Sequence, residues 1–167
     1  MSIDYFRESE NYRPKVIRQL LIGEAPPPSK KAYFYVPPER CKSRLPIEKD
    51  RSLPATIFHH YFQRTRETKE EYQALLRRLQ EIGVFLLDIC DEPIKVRNCP
   101  DGVERIKKEI PKLRGKMAAR GIDVADRDVV FLLPRMNYFK HLRRAFPDSK
   151  YIRWIDFRLS RRTAGAE

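Results

Sequence analysis

Four short, nearly continuous hydrophobic runs recur along the chain, and each is a candidate strand. They are residues 16–22 with Arg18 and Gln19 inside the run, "VFLLDIC", "DVVFLLP" at 128–134, and "YIRWIDF". Short apolar runs rich in β-branched and aromatic residues are typical of buried strands. A strand with one face in solvent would alternate apolar and polar residues, so these runs indicate a mostly parallel sheet covered on both faces.

Helix-type patterns separate the runs. Apolar residues recur three and four positions apart from Lys69 to Ile82, and Gly83 lies where a C-terminal cap belongs. Asp101 is predicted to cap a helix that runs towards Arg120, is interrupted at Pro111 and stops at Gly121. The predicted helices cover residues 54–61, 69–82, 101–120 and 137–146.

The resulting β-α-β-α-β-α-β order predicts an α/β fold with three α/β/α layers and a four-stranded parallel sheet in strand order 2-1-3-4. One domain is expected over residues 1–167, with a Pro-rich loop at about 24–54 and a basic C-terminal tail. In such sheets ligands bind outside the carboxyl ends of the strands. Those ends are predicted at residues 23–28, 88–93, 134–138 and 156–162.

The net charge of the chain indicates which kind of partner it would bind. Thirty-five Lys and Arg residues against 23 Asp and Glu residues give a net charge of +12. This excess favours a polyanion, DNA first with RNA as an alternative, although a solvated basic face without a specific partner has the same composition. No apolar run approaches the roughly 20 residues of a membrane helix, and the polar start "MSIDYFRESE" has no signal-peptide core. A cytoplasmic protein without a membrane partner is expected.

The cysteines and histidines give no indication of a cofactor. Three cysteines without CxxC spacing, Cys41, Cys90 and Cys99, predict structural thiols rather than a disulfide framework or a zinc site. The adjacent His59 and His60 point about 100° apart on a helix and are not expected to share one metal. No metal and no cofactor are therefore predicted.

The stretch "LLIGEAPPP" places a carboxylate, Glu24, at the carboxyl end of the first predicted strand. A phosphate-binding loop needs successive backbone N–H groups, and Pro26, Pro27 and Pro28 have none. The prolines instead hold the chain extended and bias Ala25 away from helix. The loop therefore resembles a support that fixes Glu24 rather than an anion cradle.

"LLIGEAPPP" resembles the first motif of the uracil-DNA glycosylase superfamily, in its Gly-Glu-Ala-Pro-Gly form. The order of elements is similar to that family from about residue 16 to 158, although only this motif agrees in its letters. The resemblance implies a DNA-repair hydrolase in which Glu24 activates the water that attacks the sugar carbon. Gly23, Ala25 and Pro26 would then border the substrate.

The resemblance also assigns a role to the aromatic cluster Tyr33, Phe34 and Tyr35, since family members carry a ring there that stacks on an extruded base. Such stacking contributes roughly 1 to 3 kcal/mol per base and offsets much of the cost of flipping it. The alternative is that the three rings pack the loop onto the core.

Other positions depart from the family pattern. The second strand ends in Asp88, with Asp91 nearby, where the family has an asparagine, and an ionised carboxylate only accepts hydrogen bonds. Asp88 is therefore predicted either to bind substrate or to act as a capping or salt-bridged residue, and Asn137 is assigned to the same substrate-binding edge. The segment "WIDFRLSRRTAG" lacks the histidine and proline of the family's second motif, and three cysteines cannot supply the four ligands of an iron-sulfur cluster.

The leading hypothesis is thus a glycosylase-like protein that binds nucleic acid and hydrolyses the N-glycosidic bond of an altered base. One alternative is a catalytically inactive binder with the same fold. The other is an unrelated α/β module for a small nucleotide or a protein partner. Phosphate contacts are assigned to basic residues near and after the last two predicted elements, namely Arg143, Arg144, Arg158, Arg161 and Arg162.

Overall fold

A computed structural model describes residues 3–27, 33–37, 52–63, 68–95, 99–123, 128–131, 138–147 and 152–154, with the backbone alone in the two segments 128–131 and 152–154. The strands are β1 (Gln19–Gly23), β2 (Val84–Asp88), β3 (Asp128–Phe131) and β4 (Ile152–Trp154). The helices are α1 (Tyr5–Glu10), α2 (Leu53–Phe62), α3 (Lys69–Glu81), α4 (Pro100–Glu109), α5 (Leu113–Ala119) and α6 (Phe139–Ala145), with a 3₁₀ turn at Ile110–Lys112 between α4 and α5.

All observed strand pairings are parallel. β1 pairs with β2 so that Leu21 lies opposite Leu86 and Gly23 opposite Asp88. The backbone of β3 pairs with the other edge of β1, and β4 pairs with β3. The predicted mixed α/β class with parallel strands is confirmed.

Both faces of β1 are covered, as its unbroken apolar run predicts. Leu20, Leu21 and Ile22 have no exposed surface, although successive strand residues point to opposite faces of a sheet. Phe85 on β2 is equally buried. Within the part of the chain that the structure describes, no helix is long and apolar enough to cross a membrane.

The predicted helix at 69–82 forms as α3, and its first and last residues follow from local chemistry. The Thr68 side chain accepts from the Glu71 backbone N–H at 3.1 Å, and the Glu71 carboxylate accepts from the Thr68 N–H at 2.9 Å. This reciprocal capping box starts the helix. Gly83 ends it with a φ of +83°, a conformation that favours glycine.

The predicted capping role of Asp101 is wrong. α4 begins at Pro100, and its N-cap, Cys99, makes no side-chain capping bond. Pro100 suits this first position because it has no N–H that would need a partner, and Asp101 lies in the first turn, where its negative charge faces the positive end of the helix. The predicted interruption at Pro111 is confirmed as the 3₁₀ turn.

Helix α1 was not predicted from the sequence, because it is short and mostly polar. Asp4 caps it by accepting from the Arg7 N–H at 3.0 Å. The Tyr5 ring meets the Tyr33 ring edge to face, with centroids 4.9 Å apart, and thereby joins α1 to the segment 33–37. Tertiary packing, rather than helix propensity, stabilises so short a helix.

The segment 33–37 covers the edge of β2 that faces away from β1. The Tyr35 hydroxyl accepts from the Leu86 N–H at 2.6 Å and donates to the Leu86 carbonyl at 2.9 Å. One phenol thus satisfies both backbone groups that Leu86 directs away from the sheet.

Candidate functional site

Glu24 and Asp88 lie at the same edge of the sheet, where β1 and β2 end. Glu24 follows the last residue of β1, and the pairing of the two chains continues past the strands. The Ile89 N–H donates to the Gly23 carbonyl at 2.9 Å, and the Cys90 N–H donates to the Glu24 carbonyl at 3.1 Å. The backbone of Glu24 is therefore fixed by the segment that follows β2, while its side chain is half-buried.

Gly23 allows the Asp88 carboxyl group to pack against the end of β1. A Cβ atom built at Gly23 would overlap the Oδ1 atom of Asp88 and lie 3.3 Å from its Cγ atom. The Asp88 carboxyl group therefore packs directly over the Gly23 backbone. A side chain at position 23 would displace it.

Asp88 is an unusually buried acid. Only 8% of its surface is exposed, and burial raises the pKa of its carboxyl to about 7. Lys116 opposes this shift, Asp91 adds to it, and weaker effects come from Arg120, which lowers the pKa, and Glu24, which raises it. Burial thus favours the neutral form of the Asp88 carboxyl group.

Two basic residues of α5 and the turn after it reach this edge of the sheet. The Lys116 ammonium donates to the Asp88 backbone carbonyl at 2.7 Å and pairs with the Asp91 carboxylate at 2.6 Å. Arg120 lies 3.4 Å from the same carboxylate, with its guanidinium 4.5 Å above the Phe6 ring. Neither residue was predicted from the sequence, although their spacing of four places them on one face of a helix.

An open groove of about 760 Å³ lies between α1 and α5. Its lining includes Phe6, Arg13, Asp91, Lys116 and Arg120. The Arg13 guanidinium pairs with Glu10 at 3.2 Å and donates to the Arg120 carbonyl at 2.6 Å. The cationic groups of the groove are therefore already engaged by protein acceptors.

The rings of Tyr33, Phe34 and Tyr35 are 8%, 5% and 3% exposed and belong to the main hydrophobic core. Burial raises the pKa of the Tyr33 phenol, and the negative charge of Asp88 adds to this effect. In this conformation no ring of the cluster offers a face to a base. The geometry favours packing of the loop onto the core over base stacking.

The other predicted substrate-binding residues are only partly described. Pro26 is buried and Ala25 half-buried, which agrees with a loop fixed against the domain. Asn137 lies outside the described residues. The basic residues Arg158, Arg161 and Arg162 lie outside them as well.

Arg143 and Arg144 are exposed on α6. The Arg143 guanidinium lies 5.1 Å from the centroid of the Phe139 ring, and the Arg114 guanidinium lies 5.6 Å from that of the Phe146 ring. The second contact joins α5 to the end of α6. Arg114 is also exposed, so the basic surface of α6 continues onto α5.

The described residues contain no group of three or more histidines, cysteines or acids placed to hold a metal ion. Cys90 is buried, and burial raises the pKa of its thiol to about 11, so the thiol stays protonated. The pKa of His60 is lowered, first by burial and then by His59 beside it. We interpret Cys90 and His60 as structural residues.

Comparisons with protein-family models, curated proteins and solved structures found no match to this chain.

Proposed function

We propose that this chain is a nucleic-acid-binding domain of the uracil-DNA glycosylase type that hydrolyses the N-glycosidic bond of an altered base, and that it acts in DNA repair. In this proposal the domain has three layers and strand order 2-1-3-4. The pairings of β1 with β2 and β3, and of β3 with β4, support that order. DNA is the proposed partner, with RNA as the alternative.

The position of Glu24 is the observation that carries the proposal. It follows the central strand β1 at the carboxyl edge, where ligands of open α/β sheets bind. Its carbonyl accepts the Cys90 N–H, and the stiff Pro26–Pro27 pair follows after Ala25. The backbone at Glu24 is thereby fixed, and its half-buried side chain is proposed to orient a water molecule at this edge.

The proposed reaction uses that carboxylate as a general base. Glu24 accepts a proton from water as the water oxygen bonds to the anomeric carbon of the sugar. The bond between that carbon and the base nitrogen breaks, and its electron pair leaves with the base. General-base catalysis contributes roughly 10² to 10⁴ in rate.

The basic surface formed by Arg114, Arg143 and Arg144 is the proposed phosphate-binding face. Its guanidinium groups are exposed, and two of them rest against rings that limit their rotation. Phosphate contacts position a nucleic acid without reading its sequence. The net charge of +12 agrees with such a partner.

A base-release assay over a panel of deaminated and damaged oligonucleotides tests the proposal. Glu24→Gln keeps the side-chain volume but loses the basic oxygen, so release should fall by about 10² to 10⁴ while binding persists. Glu81→Gln, at an exposed position of α3, is the matched control and should leave release unchanged. Undiminished release by Glu24→Gln would refute the assigned role.

The inactive binder is the second candidate function, and the buried aromatic cluster favours it. A protein whose rings at positions 33 to 35 stay in the core lacks one means of holding a flipped base. Salt-sensitive binding with no base released from any oligonucleotide would support this candidate. No binding to nucleic acid would leave the small-nucleotide or partner-binding module.

A further inference from the structure

The open groove between α1 and α5 is bordered by cations on both sides. Arg13 follows α1, whereas Lys116 lies on α5 and Arg120 directly after it. The side chains of Lys116 and Arg120 are only 15% and 11% exposed. Positive charges with so little access to water need an anion or polar acceptors beside them.

The Asp91 carboxylate supplies that anion. Its Oδ1 atom lies 2.6 Å from the Lys116 ammonium and 3.4 Å from the Arg120 guanidinium. The Asp91 side chain is itself 67% exposed, and the residue lies in a bend after β2. Because ion pairs with an exposed partner contribute little to stability, the Asp91 carboxylate can turn towards solvent at small cost.

The Arg120 guanidinium has hydrogen-bonding capacity that Asp91 does not use. An arginine side chain carries five N–H donors. Within the described part of the chain, those of Arg120 make only the 3.4 Å contact with Asp91, and the group lies 4.5 Å from the centroid of the Phe6 ring. The planar fork of a guanidinium matches the oxygens of a phosphate group. A phosphate would offer several oxygens to these donors, whereas Asp91 offers Oδ1 alone.

The surroundings of this charge cluster favour a nucleotide phosphate over a small free anion. The groove has a volume of about 760 Å³, which is in the range of ligand pockets and larger than a phosphate ion needs. Phe6 lines the same groove and is 54% exposed. An exposed ring beside a cationic site is a surface on which a base can stack.

We propose that Lys116 and Arg120 form a binding site for the phosphate of a nucleotide, free or within a strand, and that Asp91 competes with this phosphate for the same two cations. Asp91 lies one residue beyond Cys90, whose N–H donates to the Glu24 carbonyl. The site is therefore at the carboxyl edge of the sheet and separate from the basic surface of α6. The proposal does not rest on the proposed hydrolysis, because an anion can bind here whether or not a base is released.

The first test is a titration with inorganic phosphate, with chloride at equal ionic strength as the reference, followed through the backbone amide NMR signals of residues 91 and 120. Both signals should shift to saturation. Arg120→Gln should weaken phosphate binding by about 10- to 100-fold, since it removes charge-assisted hydrogen bonds. The matched control is Arg78→Gln on α3, because the Arg78 guanidinium also lies over a ring, that of Phe62, at 4.3 Å, and it should leave the affinity unchanged.

Asp91→Asn provides a test of opposite sign that does not remove a cation. Loss of the competing charge should tighten phosphate binding by about two- to fivefold. Asp101→Asn removes the same charge at an exposed position of α4 and should not change the affinity. Unsaturated shifts in the wild-type protein, or equal tightening by Asp91→Asn and Asp101→Asn, would overturn the site.

Two further probes distinguish the sources of the phosphate. Tighter binding of a nucleoside monophosphate than of inorganic phosphate would support a free nucleotide, and tighter binding of a short single-stranded oligonucleotide without a terminal phosphate would support a strand. If neither probe binds more tightly than inorganic phosphate, the assignment to a nucleotide is wrong. Base release plays no part in these measurements, so failure of the proposed hydrolysis and failure of this site are distinguishable.

Discussion

Gly23→Ala adds one methyl group at the place where the Asp88 carboxyl group packs against the end of β1. The new Cβ atom would overlap Oδ1 of Asp88 and lie 3.3 Å from its Cγ, so either the carboxyl group or the end of β1 must move. The backbone hydrogen bonds from Ile89 and Cys90 resist movement of the strand end. The carboxyl group is therefore the group expected to leave its position.

Overpacking of this kind costs about 1–3 kcal/mol. Urea unfolding measures the loss, and with a slope of about 1–3 kcal/mol per molar the midpoint should drop by on the order of 1 M. Displacement of Asp88 towards solvent should also return its pKa towards the ordinary value of an aspartate, because burial is the main cause of the shift.

Gly115→Ala is a control with the same chemical change and the opposite expected sign. A Cβ atom at Gly115 would have no neighbour within 4 Å, and the position is exposed within α5. Alanine there should stabilise the protein by about 0.5–1 kcal/mol through helix propensity. A shift of the urea midpoint in the same direction for Gly23→Ala and Gly115→Ala would refute the proposed overpacking at Gly23.

Three further predictions follow from the same structure. Tyr35→Phe leaves two buried backbone groups of β2 unsatisfied and should lower the free energy of unfolding, measured with urea, by about 2–4 kcal/mol. The control is Tyr12→Phe, whose hydroxyl makes no hydrogen bond within the described structure, and it should change the free energy of unfolding little. The pKa of Asp88 is raised on folding, so its contribution to stability is complete below about pH 4 and is lost as pH rises through about 7. Calorimetry should show the free energy of unfolding falling by up to about 1.4 kcal/mol per pH unit over this range, and Asp88→Asn should remove the decline. Arg143→Gln with Arg144→Gln should reduce the slope of log affinity against log salt by about 1 for each lost phosphate contact, and an unchanged slope would exclude α6 from the interface.

The fold elements that the sequence predicted well are those with a strong local signal. The run at 16–22 formed β1 within three residues of the predicted start, because Gly23 and the buried apolar letters mark its end. α3 combined amphipathic spacing with a capping box and a glycine stop. α1 had none of these signals, since its stability comes from contacts with residues distant in the chain, such as Tyr33.

The candidate site was predictable only in part. The motif placed Glu24 and the second strand placed Asp88, because both follow directly from where strands end. The roles of Lys116 and Arg120 depend on how α5 lies against that edge, which a local pattern does not contain. For the aromatic cluster Tyr33, Phe34 and Tyr35, the sequence alone is compatible with stacking on a base and with packing in the core. The burial of the three rings distinguishes these two roles.

The parallel pairing of β1 with β2 also constrains how the chain assembles during synthesis. Leu21 and Leu86 are register partners, so 65 residues separate the two halves of one contact. At about 5–20 residues per second, a ribosome needs roughly 3–13 s to supply the second half. During that interval β1 and the segment around Tyr35 have no β2 to join, and the independently capped α3 is the element best able to order the intervening chain. The timing of translation through residues 24–84 is therefore expected to affect the yield of folded protein.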